Sequence, residues 1–322
     1  MQRLLKRLLI GIALGVGVYA IGTIYVGLDQ LASSLASFSF WLIGPVLALT
    51  LFNYGVRFAK WQIYLRTLSI EVPTKESMLI FLSGLSMVVT PGKIGELLKS
   101  YLLKTSREIP MALTVPVVMA ERVTDLIALL ILMSSGLLVF RLGALPMAIL
   151  GACVLLFLLI VSYRPLALSL LRLAGKLPGV GRFSDRLLAF YESMATLFRP
   201  RPLAIATLLS VASWSCECLG TYLIVGGFPS VRISLLMATF IYSAGTVGGL
   251  PTPGGLGLTD GGMTAMLHYL AHIERSVAAA ATLLVRLTTL WFAVIVGVIA
   301  LLVFSRRVEL AEDATDGMQR GD

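Results

Sequence analysis

Two interruptions with similar sequences place charged side chains inside otherwise apolar segments. The first reads Thr-Pro-Gly-Lys-Ile-Gly-Glu at 90–96, and the second reads Thr-Pro-Gly-Gly-Leu-Gly at 252–257, shortly before Asp260. Proline lacks a backbone N–H and glycine tolerates left-handed dihedral angles, so neither sequence continues an ordinary helix. In a membrane, such backbone persists only where protein or a wet cavity surrounds it. The interruptions are therefore predicted to form the walls of a substrate site, with candidate residues Pro91, Gly92, Lys93, Gly95, Glu96, Pro253, Gly254, Gly255, Gly257 and Asp260.

Five further ionisable residues lie deep within apolar segments: Glu121, Arg122, Asp125, Glu217 and Arg286. Helical rise places the first three about 15–20 Å into their segment. A lone charge at that depth costs at least about 3 kcal/mol, so we expect pairing. Arg122 and Asp125, at i and i+3, are able to pair on one helix.

These buried charges have two interpretations. They hold helices together as internal ion pairs, or they serve a substrate. In the second case Lys93, Arg122 and Arg286 bind a lipid phosphate while the carboxylates relay protons or act as a gate. Intramembrane charges favour the second interpretation.

Other chemistry has little support in the sequence. His268 and His272 share a helical face, but no third metal ligand stands near them, and Cys216 and Cys218 are too close in sequence for ordinary disulfide geometry. Serine-hydrolase, nucleotide-binding and zinc-protease motifs are absent from the sequence. We therefore expect no enzyme activity, no cofactor and no metal.

Composition identifies a membrane protein. Apolar residues make up 57% of the chain and charged residues 13%, against about 25% charged residues in soluble domains. The formal charge of +9 has no basic stripe with interleaved aromatic residues, so nucleic acid is not an expected partner.

The apolar segments predict an all-α polytopic fold with about six full spans and two re-entrant hairpins, eight membrane segments in all. A first span covers 8–26, a loop 29–39, and a second span about 41–59, followed by a basic edge that includes Arg57 and Lys60. The segment from 76 reaches the first interruption after only about 14 residues, too few to cross the membrane. Residues 1–306 form one membrane domain, with an amphipathic cytoplasmic connection at 164–201 and a disordered cytoplasmic tail at 307–322.

The distribution of basic residues sets the predicted orientation. With both termini in the cytoplasm, 20 of the 26 Lys and Arg residues lie on cytoplasmic segments, among them Lys99 after the first interruption, as the positive-inside rule requires. A multi-pass protein of the bacterial inner membrane is therefore expected.

The similarity of the two interruptions extends into an internal repeat. Repeat A covers about 40–140 and repeat B about 202–304; each reads span, interrupted hairpin, charged span. Three crossings separate their starts, so the repeats are inverted and the hairpins enter from opposite faces. Inverted repeats with broken helices are typical of secondary transporters.

Three motifs in order, 90–96, Glu-Arg-Val-Thr-Asp at 121–125 and Pro-Thr-Pro-Gly-Gly-Leu-Gly at 251–257, resemble the lysylphosphatidylglycerol synthase transmembrane (flippase-like) family. The resemblance covers nearly the whole chain and implies a module that moves lipids between leaflets. The aminoacyltransferase domain of the synthases in that family is absent from this sequence, so lipid aminoacylation is not implied. Asp260 replaces the glutamate expected after the second motif and keeps the carboxylate.

These observations favour a flippase-like transporter for an anionic or polyprenyl-linked lipid, with its site between the two hairpins. Two alternatives stay open: an integral-membrane lipid transferase that uses Glu96 or Asp125 as a base, and a non-catalytic subunit of a cell-envelope glycan system. The expected partners are a lipid, the bilayer, and envelope-glycan or lipid-modifying enzymes.

Overall fold

The structure is a computed structural model, and it describes residues 17, 27–90, 95–136, 144–165, 168–169, 184–229 and 231–319. Every element in this part of the chain is helical, which confirms the all-α prediction. The helices are α1 (Leu28–Ala36), α2 (Ile43–Thr67, entered through a 3₁₀ turn at Phe40–Leu42), α3 (Thr74–Leu85), α4 (Leu98–Arg107), α5 (Met111–Met133), α6 (Ala144–Ser162), α7 (Ser184–Leu197), α8 (Pro200–Gly226), α9 (Leu235–Gly248), α10 (Leu258–Tyr269), α11 (Arg275–Arg286) and α12 (Phe292–Gln319).

Three helical stretches among the described residues are long and apolar enough to cross a membrane: Phe40–Thr67, Pro200–Gly226 and Arg275–Arg307. The third joins α11 to α12 through a π-helical segment at Leu287–Trp291. Shorter apolar helices lie at Met147–Ser162 and Leu235–Gly248. The predicted first span, 8–26, lies almost entirely outside the described residues.

Polarity is arranged as in a membrane protein, with charges inside and apolar side chains outside. Lys60, Lys99 and Glu121 are buried, whereas Leu155, Leu208 and Ile299 are more than half exposed. Water would oppose this arrangement and hydrocarbon favours it, because ionisable groups within a membrane face the bundle interior.

The two predicted repeats pack in a reciprocal way. The long helices α2 and α8 run against each other, and each begins one repeat. The first hairpin helix of repeat A, α3, packs against α12 of repeat B, while its counterpart α9 packs against α5 of repeat A. The first helix of each hairpin therefore packs against the charged span of the other repeat, and the second helix packs against the charged span of its own.

Each interrupted segment folds back on itself as a helical hairpin. Glu76, in the first turn of α3, pairs with Arg107, the last residue of α4, so the end of α4 lies beside the start of α3. The hydrogen bond from the Arg107 guanidinium lowers the pKa of the Glu76 carboxyl. In repeat B, α9 packs on α10, where a Cβ atom on Gly245 would lie 2.6 Å from the Met263 side chain.

Three local predictions differ from the structure. The predicted loop 29–39 contains α1, whose Ser34 hydroxyl donates to Ser276 Oγ at 2.9 Å on α11. The amphipathic connection includes α7, which packs against α5 and whose buried Tyr191 donates its hydroxyl to the Val161 carbonyl of α6 at 3.2 Å, so it does not lie wholly on the lipid surface. The helix α12 runs to Gln319, into the predicted disordered tail, because its Ala-, Glu- and Leu-containing sequence favours helix.

Candidate functional site

The first interruption follows α3 and is tied together by the side chain of Thr90. Its hydroxyl donates to the Met87 carbonyl at 2.8 Å, and the same oxygen accepts the backbone N–H of Gly95 at 2.7 Å. Gly95 leaves no room for a side chain, because a Cβ atom there would lie 2.5 Å from the Met87 Cβ. Three predicted residues of this interruption lie outside the described part of the chain: Pro91, Gly92 and Lys93.

The second interruption turns through three glycines with positive φ angles: Gly254 at 60°, Gly255 at 76° and Gly257 at 82°. Side chains disfavour this left-handed region, which explains the glycine-rich sequence after Pro253. The Asp260 carboxylate accepts the Gly257 N–H at 2.8 Å and so caps the start of α10. As predicted, the backbone leaves the regular helix here.

The residues just before the first interruption contact the second interruption. A Cβ atom on Gly254 would lie 3.0 Å from the Cα atom of Val89, so a side chain at 254 would push the hairpin tips apart. Val88, Val89 and Leu256 belong to one apolar cluster with Leu290, which lies in the π-helical segment. The described residues next to the first interruption therefore pack against the second, while the predicted entry of the hairpins from opposite faces stays a prediction.

An ion network lies between α2, α4 and α5, beside the first hairpin. Asp125 binds Lys60 at 2.6 Å and Arg122 at 2.9 Å, and Arg122 also reaches Glu96 at 3.2 Å. The predicted i, i+3 pair between Arg122 and Asp125 is therefore confirmed. We call the following residues the buried ion network: Arg57, Lys60, Glu96, Lys99, Glu121, Arg122 and Asp125.

Three cations of this network were predicted to lie on cytoplasmic segments. Arg57 and Lys60 were assigned to a basic edge and Lys99 to the cytoplasmic side of the hairpin, yet all three are buried. Lys99 pairs with Glu121 and stacks over Trp61, with its Nζ 4.7 Å from the ring centroid. The number of Lys and Arg residues on predicted cytoplasmic segments therefore falls from 20 to 17 of the 26, which leaves the predicted orientation unchanged.

The missed cations did leave a signal in the sequence. On α2, Asn53, Arg57, Lys60 and Tyr64 follow one another at intervals of four, three and four residues. This spacing puts them on one helical face, and a polar face on an apolar helix indicates a buried polar contact rather than a solvated end.

A second, smaller group of charges fastens the second interruption. Arg286 Nε donates to Asp260 Oδ1 at 2.9 Å, and Arg286 also donates to the Gly254 carbonyl. Arg286 thus plays the same part in repeat B that Arg122 plays toward Glu96 in repeat A. In each repeat, an arginine of the charged span holds the carboxylate that follows the interruption.

Glu217 joins the two long helices near this second group. Its Oε1 accepts Asn53 Nδ2 at 2.8 Å across the α2–α8 contact, and its Oε2 accepts the Tyr242 hydroxyl at 3.2 Å. Glu217 is buried, as predicted. Its position links both repeats and α9.

A pocket opens where these groups meet. It is a partly open cleft with about 690 Å³ of empty space when the adjoining outside space is counted. Repeat A supplies Tyr54, Arg57 and Val88, and repeat B supplies residues that include Trp214, Glu217, Tyr242 and Arg286. Aromatic rings and two guanidinium groups therefore surround one space, an arrangement suited to an amphiphile with an anionic headgroup.

The predicted site residues divide between the pocket and its support. Four of them line it: Glu217, Gly254, Gly255 and Arg286. The following are not among the residues that line this pocket, and they hold the hairpins from outside it: Gly95, Glu96, Glu121, Arg122, Asp125, Pro253, Gly257 and Asp260. Among the residues described, no group of three His, Cys, Asp or Glu side chains is placed to hold a metal ion.

Comparison with known proteins matches the chain to one family over most of its length. The profile of the family described as "Lysylphosphatidylglycerol synthase TM region" matches residues 8–297. A UPF0104 membrane protein of Methanocaldococcus jannaschii is 28% identical over 230 residues, which cover 68% of this chain and 94% of that protein. Another, from Methanothermobacter thermautotrophicus, is 28% identical over 276 residues, covering 77% and 81% of the two chains.

Proposed function

The chain belongs to the lysylphosphatidylglycerol synthase TM region family of membrane proteins, and from that premise we propose that it transports lipid. It moves an anionic or polyprenyl-linked lipid between leaflets, and the headgroup crosses at the pocket between the hairpin tips. One observation carries the proposal: arginines from both repeats line a single pocket inside a bundle with an apolar outer surface. The proposal includes no catalysis and no cofactor.

The short helices of the first hairpin support a hairpin that enters and leaves the membrane on the same face. By helical rise, α3 and α4 are about 18 and 15 Å long, well short of a hydrocarbon core of about 30 Å. The Glu76–Arg107 pair closes the open end of this hairpin. We therefore propose that both hairpins are re-entrant and that their tips meet near the bilayer centre, as in transporters with broken helices.

Contacts at the ends of the helices support an inverted arrangement. The Ser39 N–H donates to the Gly227 carbonyl at 3.0 Å, so the start of α2 lies beside the end of α8. Repeat B enters its hairpin from that end, whereas repeat A enters from the other. Exposed Arg66, Lys104 and Arg107 lie at the repeat A end, which the positive-inside rule assigns to the cytoplasm.

This orientation completes the proposal. Both termini lie in the cytoplasm, and the protein resides in the plasma membrane, which is the inner membrane of a bacterium. Its substrate is a membrane lipid, and enzymes that modify lipids or build envelope glycans are its natural partners.

Leaflet exchange in proteoliposomes tests the proposal. Acyl-labelled anionic phospholipids and a labelled polyprenyl phosphate are reconstituted with wild type or with Arg122→Gln, and outward-facing label is quenched over time. Wild type is expected to exchange at least one lipid. Arg122→Gln is expected to lose at least about tenfold in rate, because it removes the ion pair with Glu96 and leaves Lys99–Glu121 as the remaining ion pair between the first hairpin and α5 among the described residues.

Two variants control this experiment. Arg122→Lys keeps the charge and is expected to retain partial exchange, while Arg66→Gln removes an exposed arginine at the end of α2 and should exchange normally. Absence of exchange with every lipid, from protein shown to be folded, would refute transport. That result would favour the transferase or the glycan-system subunit.

A further inference from the structure

Arg57 differs from the other cations of the buried ion network in how weakly the network holds it. It lies on α2, lines the pocket, and its side chain is only 10% exposed. Its ion pair with Asp125 Oδ2 spans 3.8 Å, whereas each of the other three cations has an ion pair of 2.9 Å or shorter. Its Nε is buried without a hydrogen-bond partner, as Nε and Nη2 of Arg122 also are, but of these two arginines only Arg57 lines the pocket. A buried guanidinium group ordinarily has its donors satisfied, so this one is poised for a ligand.

The carboxylate nearest to Arg57 already has stronger partners. Lys60 takes Asp125 Oδ1 at 2.6 Å, and Arg122 lies 2.9 Å from Oδ2. Within the described part of the chain, the network joins four cations to three carboxylates, so one positive charge is left over. Geometry assigns that charge to Arg57.

The other charged residues that line the pocket decide whether it favours a singly or a doubly charged ligand. Arg286 faces the same space from repeat B, but Asp260 and the Gly254 carbonyl hold it. Glu217 adds a negative charge to the lining, and two of its oxygen contacts are with the neutral donors Asn53 and Tyr242. Because Glu217 already offsets one positive charge in the lining, a doubly charged anion at Arg57 would add more uncompensated negative charge than a singly charged one in this apolar setting.

We propose that Arg57 binds the substrate's phosphate and that the pocket prefers a singly charged phosphodiester headgroup over a doubly charged phosphomonoester. A guanidinium group suits this role because it presents a planar fork of donors that two phosphate oxygens accept together. Arg122, by contrast, positions the hairpin and does not line this pocket. The inference rests on the proposed function in taking a lipid as the ligand.

Binding measurements on purified protein test the inference separately from transport. Lipid-depleted protein in nanodiscs or detergent is titrated at pH 8 with phosphatidylglycerol, a diester, and with phosphatidic acid, a monoester whose second proton is largely lost there. Inorganic phosphate and glycerol 3-phosphate serve as lipid-free probes. Wild type is expected to bind phosphatidylglycerol at least tenfold more tightly than the other three.

Arg57 variants identify the residue. Arg57→Gln is expected to weaken phosphatidylglycerol binding at least tenfold, and Arg57→Lys to weaken it less, since charge survives but the fork does not. Arg57→Gln should fold, because it leaves three cations against three carboxylates in the network. Arg66→Gln is the matched control: the same residue type, exposed, on the same helix.

Each outcome bears on the inference. Wild-type affinity in folded Arg57→Gln would show that Arg57 is only structural. Equal or tighter binding of phosphatidic acid would overturn the charge preference, and equal binding of inorganic phosphate would indicate a free-anion site. Selective lipid binding that depends on Arg57, in a protein that exchanges no lipid, would support the site while refuting transport.

Discussion

Asp125 brings together side chains from two helices of repeat A. It contacts Lys60, Arg122 and, more distantly, Arg57. Sequence spacing predicts the Arg122 pair because both residues lie on α5. It does not predict the contacts with Lys60 and Arg57, since these depend on which face of α2 turns toward α5, and that is decided by packing over the whole bundle.

Removing this carboxylate should destabilise the protein more than removing one of its cations. Asp125→Asn leaves Lys60, Arg122 and Arg57 without their shared partner, and breaking a buried ion pair costs about 3–5 kcal/mol. Lys60→Met leaves Asp125 paired with Arg122, so its cost should be smaller. Thermal unfolding in detergent, followed by loss of the monodisperse peak in size-exclusion chromatography, measures both.

Asp185→Asn provides the control for this prediction, because Asp185 is an exposed aspartate on α7. It should unfold at the wild-type temperature. If Asp125→Asn and Asp185→Asn unfold together, the network does not contribute to stability.

At the level of the elements, proline and glycine made both interruptions predictable. No ordinary helix accommodates the three positive-φ glycines of the second one. The neighbour of α3 was not predictable, because an almost uniformly apolar helix carries little information about which surface it will contact. The structure shows that α3 ends directly against α12 at Gly297.

A methyl group at this crossing should separate the two helices. The Cβ atom of Gly297→Ala would lie 2.1 Å from the backbone nitrogen of Ser86, and backbone cannot rotate away as a side chain can. Overpacking of this kind costs about 1–3 kcal/mol or more. We expect a lower unfolding temperature and slower lipid exchange.

Gly151→Ala is the matched substitution. It lies in α6, and a Cβ atom there meets nothing within 4 Å. Since alanine favours helix over glycine by up to about 1 kcal/mol, this variant should be as stable as wild type or more so. Equal losses in both variants would contradict a specific crossing at Gly297.

At the scale of the whole molecule, motif offsets predicted the repeat, and the structure adds that each repeat packs the first helix of its hairpin against the charged span of the other. The helix α3 packs against α12, and α9 packs against α5. Sequence similarity between repeats shows only that the units are alike. It contains no information on whether each unit packs within itself or on the other.

The proposed orientation predicts that the open ends of the two hairpins lie on opposite sides of the membrane. Thr105→Cys at the end of α4 and Tyr269→Cys at the end of α10 are both exposed positions. Each cysteine is introduced into a variant in which Cys153, Cys216 and Cys218 are replaced. A membrane-impermeant maleimide should label position 269 in intact cells. It should label position 105 only after the membrane is opened.

Labelling of both positions in intact cells would contradict the inverted arrangement. A cysteine at Arg307, near the end of the third long apolar stretch, serves as the cytoplasmic reference. It should behave like position 105.

The contact between Ser86 and Gly297 also has a consequence for biosynthesis. Gly297 leaves the ribosome about 210 residues after Ser86. At roughly 5–20 residues per second, the first hairpin waits about 10–40 s for the helix that completes its packing. During translation, the insertion machinery must therefore shield the polar groups of the first hairpin until α12 is synthesised. Chains that terminate before α12 should be degraded rather than accumulate.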